Sequence, residues 1–503
     1  MRIIIGSHCF QWILRIINCL IGLYEHSKIK RVVDRLGNVW KNSHFGSLSS
    51  TYERQQPCFE NSVIGSWIHR ILVFVFGKIN FPKFLKSRLG QYEVMTYILA
   101  LYAIVDCIFR RYIASFASVW DELFLILMFG IWLVKGIQCK EEACKRTPMD
   151  YCVVVFAGVF FVLMLFSPSI VIAIEGFRVL VQYILWYFAV VQLLKDKVDA
   201  KNLLMIFTCM VGILAIHGVY QYIVGVEMPE TWVESSENIR TRVYSIFTSP
   251  NIFGSLLVLA TPITVSMIMI EKKIRRKLFY GVLCVCMLGA LVFTYSRGAW
   301  LGLACAIGVY VLLKDKRLII PAVIGAILVL IFVPSISNRL LFMFSGDYIS
   351  SSLRGGRLIR WITALQILEE HPLTGLGLGQ FGGAVAMNHG LSAIVKGESV
   401  ATFYMDNNYL KIAAESGIIG LGIFVWLMYQ VITVSIKTIG VTTDKTMKEM
   451  EIGILAGLSG VIFHNLVENV FEVPMMVSMF WMLVAVMMHF WYLNYDSLKE
   501  KRK

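Results

Sequence analysis

The chain has 503 residues, of which 57% are hydrophobic and only 16% charged, and its mean hydropathy is +0.69. That composition excludes an ordinary soluble globular domain and makes the chain an integral membrane protein. The net charge of +14 would suit a nucleic-acid binder, but most basic residues sit in short segments between alternate apolar runs, where topology accounts for them and no nucleic acid is needed.

The first ninety or so residues differ from the rest. In Ile3 to Tyr24, the residues His8, Gln11, Arg15 and Asn18 share one helical face, which predicts an interfacial helix. Arg15 interrupts the apolar core that a signal peptide needs, and no small-residue cleavage site follows. After the polar stretch Lys28 to Glu60, the residues Trp67, Ile68, Ile71, Leu72 and Val75 form a second amphipathic stretch beside Lys78, Lys83, Lys86 and Arg88. Residues 1–90 are therefore expected to form a cytoplasmic membrane-surface region attracted by anionic lipid.

From Tyr92 onward, apolar runs long enough to cross a bilayer recur about twelve times, at roughly 92–109, 115–134, 151–167, 170–194, 202–224, 252–270, 278–295, 299–313, 318–335, 408–433, 452–470 and 474–492. The runs are continuous, where β-barrel strands would alternate over about ten residues. The expected fold is all-α: a polytopic helical bundle with spans one to nine in 91–335, a large extracytoplasmic loop at 336–406, and spans ten to twelve with the tail in 407–503. Basic segments at Lys135–Arg146, Lys195–Lys201, Lys272–Lys277, Lys314–Arg317, Lys437–Lys448 and Lys499–Lys503 follow every second span. This pattern puts both termini in the cytoplasm. Eleven cysteines are scattered without disulfide or zinc spacing, and no metal or cofactor site is expected.

The outward loop carries Arg339, Arg354, Arg357 and Arg360 with one lysine, Lys396. Arginines on that side need a reason, and an anionic ligand held by guanidinium forks supplies one. Within it, Leu358, Trp361, Ile362, Leu365 and Leu368 predict a surface helix beginning at Arg357. Pro372 ends it after Glu369, Glu370 and His371. Gly377, Gly379 and Gly382 spell GxGxxG, but no strand precedes them, so they predict a tight turn and no dinucleotide site. A second outer segment, Val226 to Asn251, holds Arg240 and Arg242, and a short outer turn holds Arg297.

Polar residues inside or at the ends of spans form another constellation. Glu175 and Arg178 are three apart on one helix and suit either a local ion pair or a ligand site. His217, Tyr220 and Gln221 lie near the end of the fifth span; a histidine there is often a packing residue. His464, Asn465, Glu468 and Glu472 make a polar stripe that lines a site or joins neighbouring helices.

The run Arg357, Trp361, Ala364, His371, Pro372, Gly375, Gly377, Gly379, Phe381, followed by Asp406, Asn407, Tyr409, Leu410, Glu415 and Gly417, resembles the signature of the O-antigen ligase and O-antigen polymerase superfamily. Arg242, Phe247, Pro250 and Asn251, and then Tyr295, Ser296, Arg297, Gly298 and Trp300, are similar to two further motifs of that family. The similarity covers roughly residues 156–490. It implies a metal-independent, GT-C-like membrane glycosyltransferase of a bacterial cell membrane. Its donor would be an undecaprenyl-diphosphate-linked oligosaccharide, its acceptor a glycan, with other envelope polysaccharide machinery as partners. It further implies that Arg242, Arg297 and Arg357, with Arg360 and Arg178, hold the lipid diphosphate; snorkelling to lipid phosphates is the alternative.

Ligases of the family commonly carry a histidine before the asparagine matched by Asn407, where this chain has Asp406. A carboxylate can accept the proton of the attacking hydroxyl, so Asp406, Arg357 and Asn407 are the expected catalytic residues. Helix capping is the alternative role for Asp406 or its neighbours. Tyr409, Glu415, His217, His464 and Glu468 are expected to line the site, with Glu415 orienting Asn407 or Lys411. The departure at Asp406 favours a surface-polysaccharide polymerase over a ligase to lipid A. An anion or solute transporter, or a non-catalytic part of an envelope-polymer machine, are the readings from other classes.

Overall fold

The computed structural model describes residues 93–117, 119–138, 145–229, 241–332, 334–342 and 345–500. The expected amphipathic region at 1–90 and Arg240 lie outside the described residues. Helix accounts for 78% of the structure, and the strands among the described residues form one hairpin, so the all-α expectation holds.

Helices α1 (Glu93–Ala100) and α2 (Tyr102–Tyr112) are followed by the one-turn α3 (Ala114–Ala117), then α4 (Trp120–Gln138) and α5 (Pro148–Leu165). Next come α6 (Ile170–Val181), α7 (Leu185–Leu193), α8 (Lys197–Val224), α9 (Pro250–Ile270), α10 (Ile274–Phe293) and α11 (Arg297–Lys314). Helices α12 (Ile319–Phe332), α13 (Pro334–Phe342), α14 (Gly346–Leu353), α15 (Arg357–Glu370) and the short α16 (Ala384–Asn388) lead into the hairpin, β1 (Ser392–Val395) and β2 (Glu398–Ala401). The chain closes with α17 (Asn408–Val441), α18 (Lys445–His464) and α19 (Pro474–Glu500). Side-chain caps start several of these: Asp196 for α8, Ser249 for α9, Ser296 for α11, Asn407 for α17 and Asp444 for α18 each accept from the first turn.

Eight helical segments among the described residues are long and apolar enough to span a membrane: 148–165, 170–193, 197–224, 250–270, 274–293, 297–314, 408–441 and 474–494. The other four expected spans fall on different kinds of helix. The first is broken between α1 and α2 at Leu101, and α12 has only 14 residues. Charge marks the other two, with Asp121, Glu122 and Lys135 in α4 and Lys445, Lys448, Glu449 and Glu451 in α18.

The centre of the bundle is α9, α18 and α19, whose apolar residues are almost all buried. Glycines let α18 approach its neighbours at backbone distance: a Cβ on Gly457 would overlap the Leu259 carbonyl, and one on Gly460 would lie 2.8 Å from the Gly302 oxygen. The lysine-rich turns gather at one end, where Lys197 pairs with Asp444, Lys201 with Glu271 and Lys314 with Glu449. Helices α8 and α18 start there and finish at the opposite end, while α9 and α11 run the reverse way. The arginine motifs are thus brought together away from the lysines.

The segment from Arg357 to Met405 folds on that opposite end around a small core of Ala364, Ile367, Phe381, Ala393, Val395, Met405 and Ala414. As expected, α15 begins at Arg357 and stops before His371 and Pro372. Its core-facing side is Ala364 and Ile367; Ile362 and Leu365 of the expected stripe stay exposed. Residues 372–377 then run beside the first turns of α17, with Leu376 N–H donating to Ala414 O, Gly377 N–H to Glu415 O and Ile418 N–H to Pro372 O. The expected glycine turn is present, with φ of 119°, 69° and 78° at Gly377, Gly379 and Gly382.

This close approach breaks α17 at Gly417, which has φ 62° and ψ −165°, and a Cβ there would overlap the Leu373 carbonyl. Gly417→Ala is expected to destabilise the protein by roughly 3 kcal/mol or more, because strain and overlap coincide. Thermal unfolding of the detergent-purified variant checks this, and an unchanged midpoint would refute it.

Candidate active site

The site is assembled first by α8. The Gln221 Oε1 accepts the N–H groups of Tyr244 and Ser245, its Nε2 donates to Ser245 O, and His217 Nδ1 lies 3.0 Å from Ser245 Oγ. These bonds hold residues 241–249 against the end of the helix and so fix Arg242, which is only 7% exposed. The Arg242 guanidinium donates to Thr294 O at 2.9 Å and to Asn251 Oδ1 at 3.0 Å. Asn251, in the first turn of α9, passes the connection on through its Nδ2, which donates to Glu468 Oε2 at 2.6 Å. The same oxygen lies 3.4 Å from Arg357 Nη2. Glu468, 4% exposed in the loop after α18 and outside every spanning helix, thereby joins Arg242 and Arg357. Burial, reinforced by Asp406, pushes its carboxyl up to about 7 against the pull of Arg357 and Arg242.

Beside this chain of contacts, Asp406 Oδ2 accepts from Arg360 Nη1 at 2.8 Å, and the same nitrogen reaches Tyr404 O. Arg360 also lies over the Phe403 ring, 5.7 Å from its centroid. The cap of α17 is Asn407 and not Asp406: Asn407 Oδ1 accepts from Leu410 N–H, and its Nδ2 donates to Leu466 O at 2.6 Å. Both polar ends of Asn407 thus tie α17 to the Glu468 loop. Tyr404 donates to Asn469 O, and burial together with Glu468, Glu472 and Asp406 raises its phenol well above the usual range.

Other expected residues have varied surroundings. His464 is buried with Nδ1 2.8 Å from Ser255 Oγ, and Gly298 leaves room for its ring where any Cβ would lie 2.7 Å from Nε2. That contact seats the start of α11, and with it Arg297, next to the Glu468 loop. Arg297 lies over the rings of Phe342 and Tyr348. Tyr409 donates to Ile462 O and faces an apolar groove of about 420 Å³ between α11, α17 and α18. Glu415 accepts from Phe381 N–H and lies 3.9 Å from Lys411, which is paired with Glu472, so it serves the docking of the loop through Lys411 rather than through Asn407. Glu370 receives the Lys396 N–H of the hairpin turn. Glu175 and Arg178 do not pair with each other: Arg178 reaches Glu122 at 3.0 Å, and Glu175 lies 3.1 Å from His389.

The geometry therefore brings together Arg242, Arg357 and Glu468, with Arg360, Asp406 and Asn407 alongside, and links Arg297 to them through Thr294 and His464. Arg178 is given its own carboxylate on α4. Sequence reasoning gave no role to Asn251 beyond its motif, nor to Thr294, Tyr404 or the rings of Phe342 and Tyr348. The Pro-Asn pattern at Pro250 and Asn251 was the available signal for the first of these. One buried and several half-buried guanidinium groups arranged around carboxylates at one end of a helical bundle form a site suited to a multiply charged oxyanion.

Residues 282–425 match the family model described as O-antigen ligase. The matched stretch contains Arg297, Arg357, Arg360, Asp406, Asn407, Tyr409 and Glu415, while Arg242 and Glu468 lie outside it. No curated protein matches the chain. The chain is thus a multi-pass membrane protein whose residues 282–425 are similar to the O-antigen ligase family.

Proposed function

We propose that the chain is a metal-independent membrane glycosyltransferase that polymerises or ligates a surface polysaccharide. It works at the outer face of a bacterial plasma membrane with both termini in the cytoplasm. Its donor is an undecaprenyl-diphosphate-linked oligosaccharide and its acceptor a sugar hydroxyl. The topology proposed is twelve crossings, with 91–335 holding the first nine, 336–406 outside, and 407–503 holding the last three and the tail. Residues 1–90 lie on the inner leaflet.

In the reaction, the acceptor oxygen forms the new bond to the anomeric carbon as its proton passes to the Asp406 carboxylate. The bond from that carbon to the diphosphate oxygen breaks, and its electron pair leaves on the lipid diphosphate. Arg242, Arg297, Arg357 and Arg360 stabilise that charge with permanently protonated forks, the part divalent cations play in other phosphate sites. Arg178, being paired with Glu122, contributes at most by long-range attraction. The observation that supports this reading best is the convergence of Arg242, through Asn251, and Arg357 on Glu468. A buried carboxylate there occupies the place in the charge balance that a donor diphosphate would take.

Polymerase and ligase differ in product. Purified protein in liposomes, given the host's undecaprenyl-diphosphate oligosaccharide pool, is expected to yield a ladder of lengthened glycan on gels and in mass spectra. A single transfer to a different acceptor would make it a ligase. Absence of glycan transfer with intact lipid binding would turn the reading toward transport or scaffolding.

A further inference from the structure

The residues leading into α17 meet the loop after α18 in a matched, antiparallel order. The Tyr404 hydroxyl donates to Asn469 O at 3.1 Å, Asn407 Nδ2 to Leu466 O at 2.6 Å and Asn408 N–H to Asn465 O at 3.0 Å, so the contacts step in opposite directions along the two segments. Asp406 and Glu468 occupy neighbouring positions within this match, close enough for the charge of Asp406 to act on Glu468. Glu468 holds Arg357 and, through Asn251, Arg242, while Asp406 holds Arg360. The match therefore sets one half of the site against the other.

The start of α17 fixes Asn407 and Asn408 at one end of the match, and Tyr404 closes it at the other, beyond Asp406. The Tyr404 carbonyl accepts from Arg360 Nη1 at 3.2 Å, and the same nitrogen donates to Asp406 Oδ2 at 2.8 Å. Its neighbours in the chain are also held: the Phe403 ring meets Phe381 edge to face at 5.0 Å, and Met405 N–H donates to Gly382 O. Burial and the carboxylates around it keep the Tyr404 phenol well above its usual range, so it stays a donor and takes no proton in the reaction. A group that must meet a reacting atom keeps its geometry only when its own supports are locked. Resting on the functional reading above, we propose that Tyr404 is a positioning residue for glycosyl transfer. Through its hydroxyl bond to Asn469 and its carbonyl bond to Arg360, it sets the Asp406 carboxylate at a fixed place relative to the donor diphosphate held by Arg242 and Arg357.

The test is glycan transfer by the full-length protein in liposomes, measured over a range of lipid-linked donor concentrations. Tyr404→Phe keeps the ring and removes only the hydroxyl. It is expected to lower kcat about tenfold, the weight of one net hydrogen bond, while KM for the donor stays within about twofold of the unaltered protein. Binding of undecaprenyl diphosphate in nanodiscs, which counts folded protein, is expected to be unchanged. In an Asp406→Asn background, followed by single turnover, the same change is expected to add less than about a twofold loss, because the carboxylate it places is gone.

An unchanged kcat, a loss carried by KM or by binding, or an equal loss with and without the Asp406 carboxylate would overturn the positioning role and leave the wider site reading standing. Failure of the unaltered protein to transfer glycan would overturn both.

Discussion

Arg357→Ala is expected to lower glycan transfer by about 10²–10³-fold, equivalent to about 3–4 kcal/mol of lost transition-state stabilisation. Arg357 opens α15, so the helix start fixes its Cα. Its side chain is about one-third exposed while its partner Glu468 is almost wholly enclosed. It is therefore the arginine of the buried network best able to exchange an internal carboxylate for an incoming diphosphate. Truncation also leaves Glu468 without one of its two cationic neighbours, and an uncompensated buried carboxylate destabilises a fold on its own. Combining Arg357→Ala with Glu468→Gln separates the two effects: thermal stability should return toward that of the unaltered protein, and turnover should not. Arg357→Lys should keep the charge and still lose most of the turnover, because a bidentate fork becomes a single ammonium. Turnover near normal in either substitution would remove Arg357 from the chemistry.

The second large effect is expected at Asp406. Asp406→Asn keeps the size of the side chain and an oxygen for Arg360 but removes the proton acceptor, and turnover should fall by about 10²–10⁴-fold. The capping explanation for Asp406 makes a different prediction, that stability falls and chemistry does not. The geometry already separates these, since Asn407 supplies the cap of α17. A variant that folds and binds undecaprenyl diphosphate normally, yet transfers glycan at the original rate, would show that the base lies elsewhere. Glu468 would then be the next carboxylate to test, being buried within the same cluster.

Features written into local pattern were legible before the structure. The start of α15 at Arg357 and its end before Pro372 follow from apolar spacing and proline stereochemistry, and the glycine turn follows from residues that tolerate positive φ. The gathering of Lys197, Lys201 and Lys314 at one end follows from the charge asymmetry of the loops. Partnerships across long separations were not legible. Asn251 and Glu468 are 217 residues apart, and nothing in either neighbourhood names the other. Glu175 and Arg178 had the spacing of a helical pair, but carboxylate and imidazole groups on other elements are better placed and take each side chain separately. Apolar length alone also did not show that the first expected span breaks between α1 and α2, or that the first turns of α18 carry Glu449 and Glu451 buried against protein.

The central claim is that these arginines serve a displacement with lipid diphosphate as the leaving group. The most direct measurement is the release of undecaprenyl diphosphate by the purified protein in liposomes supplied with donor and acceptor glycans, quantified by mass spectrometry beside new glycosidic linkages. One molecule released per linkage formed, with both signals lost together in Arg357→Ala, is the predicted result. Linkages formed without release, release unaffected by Arg357→Ala, or neither signal from a protein that binds the donor would contradict it.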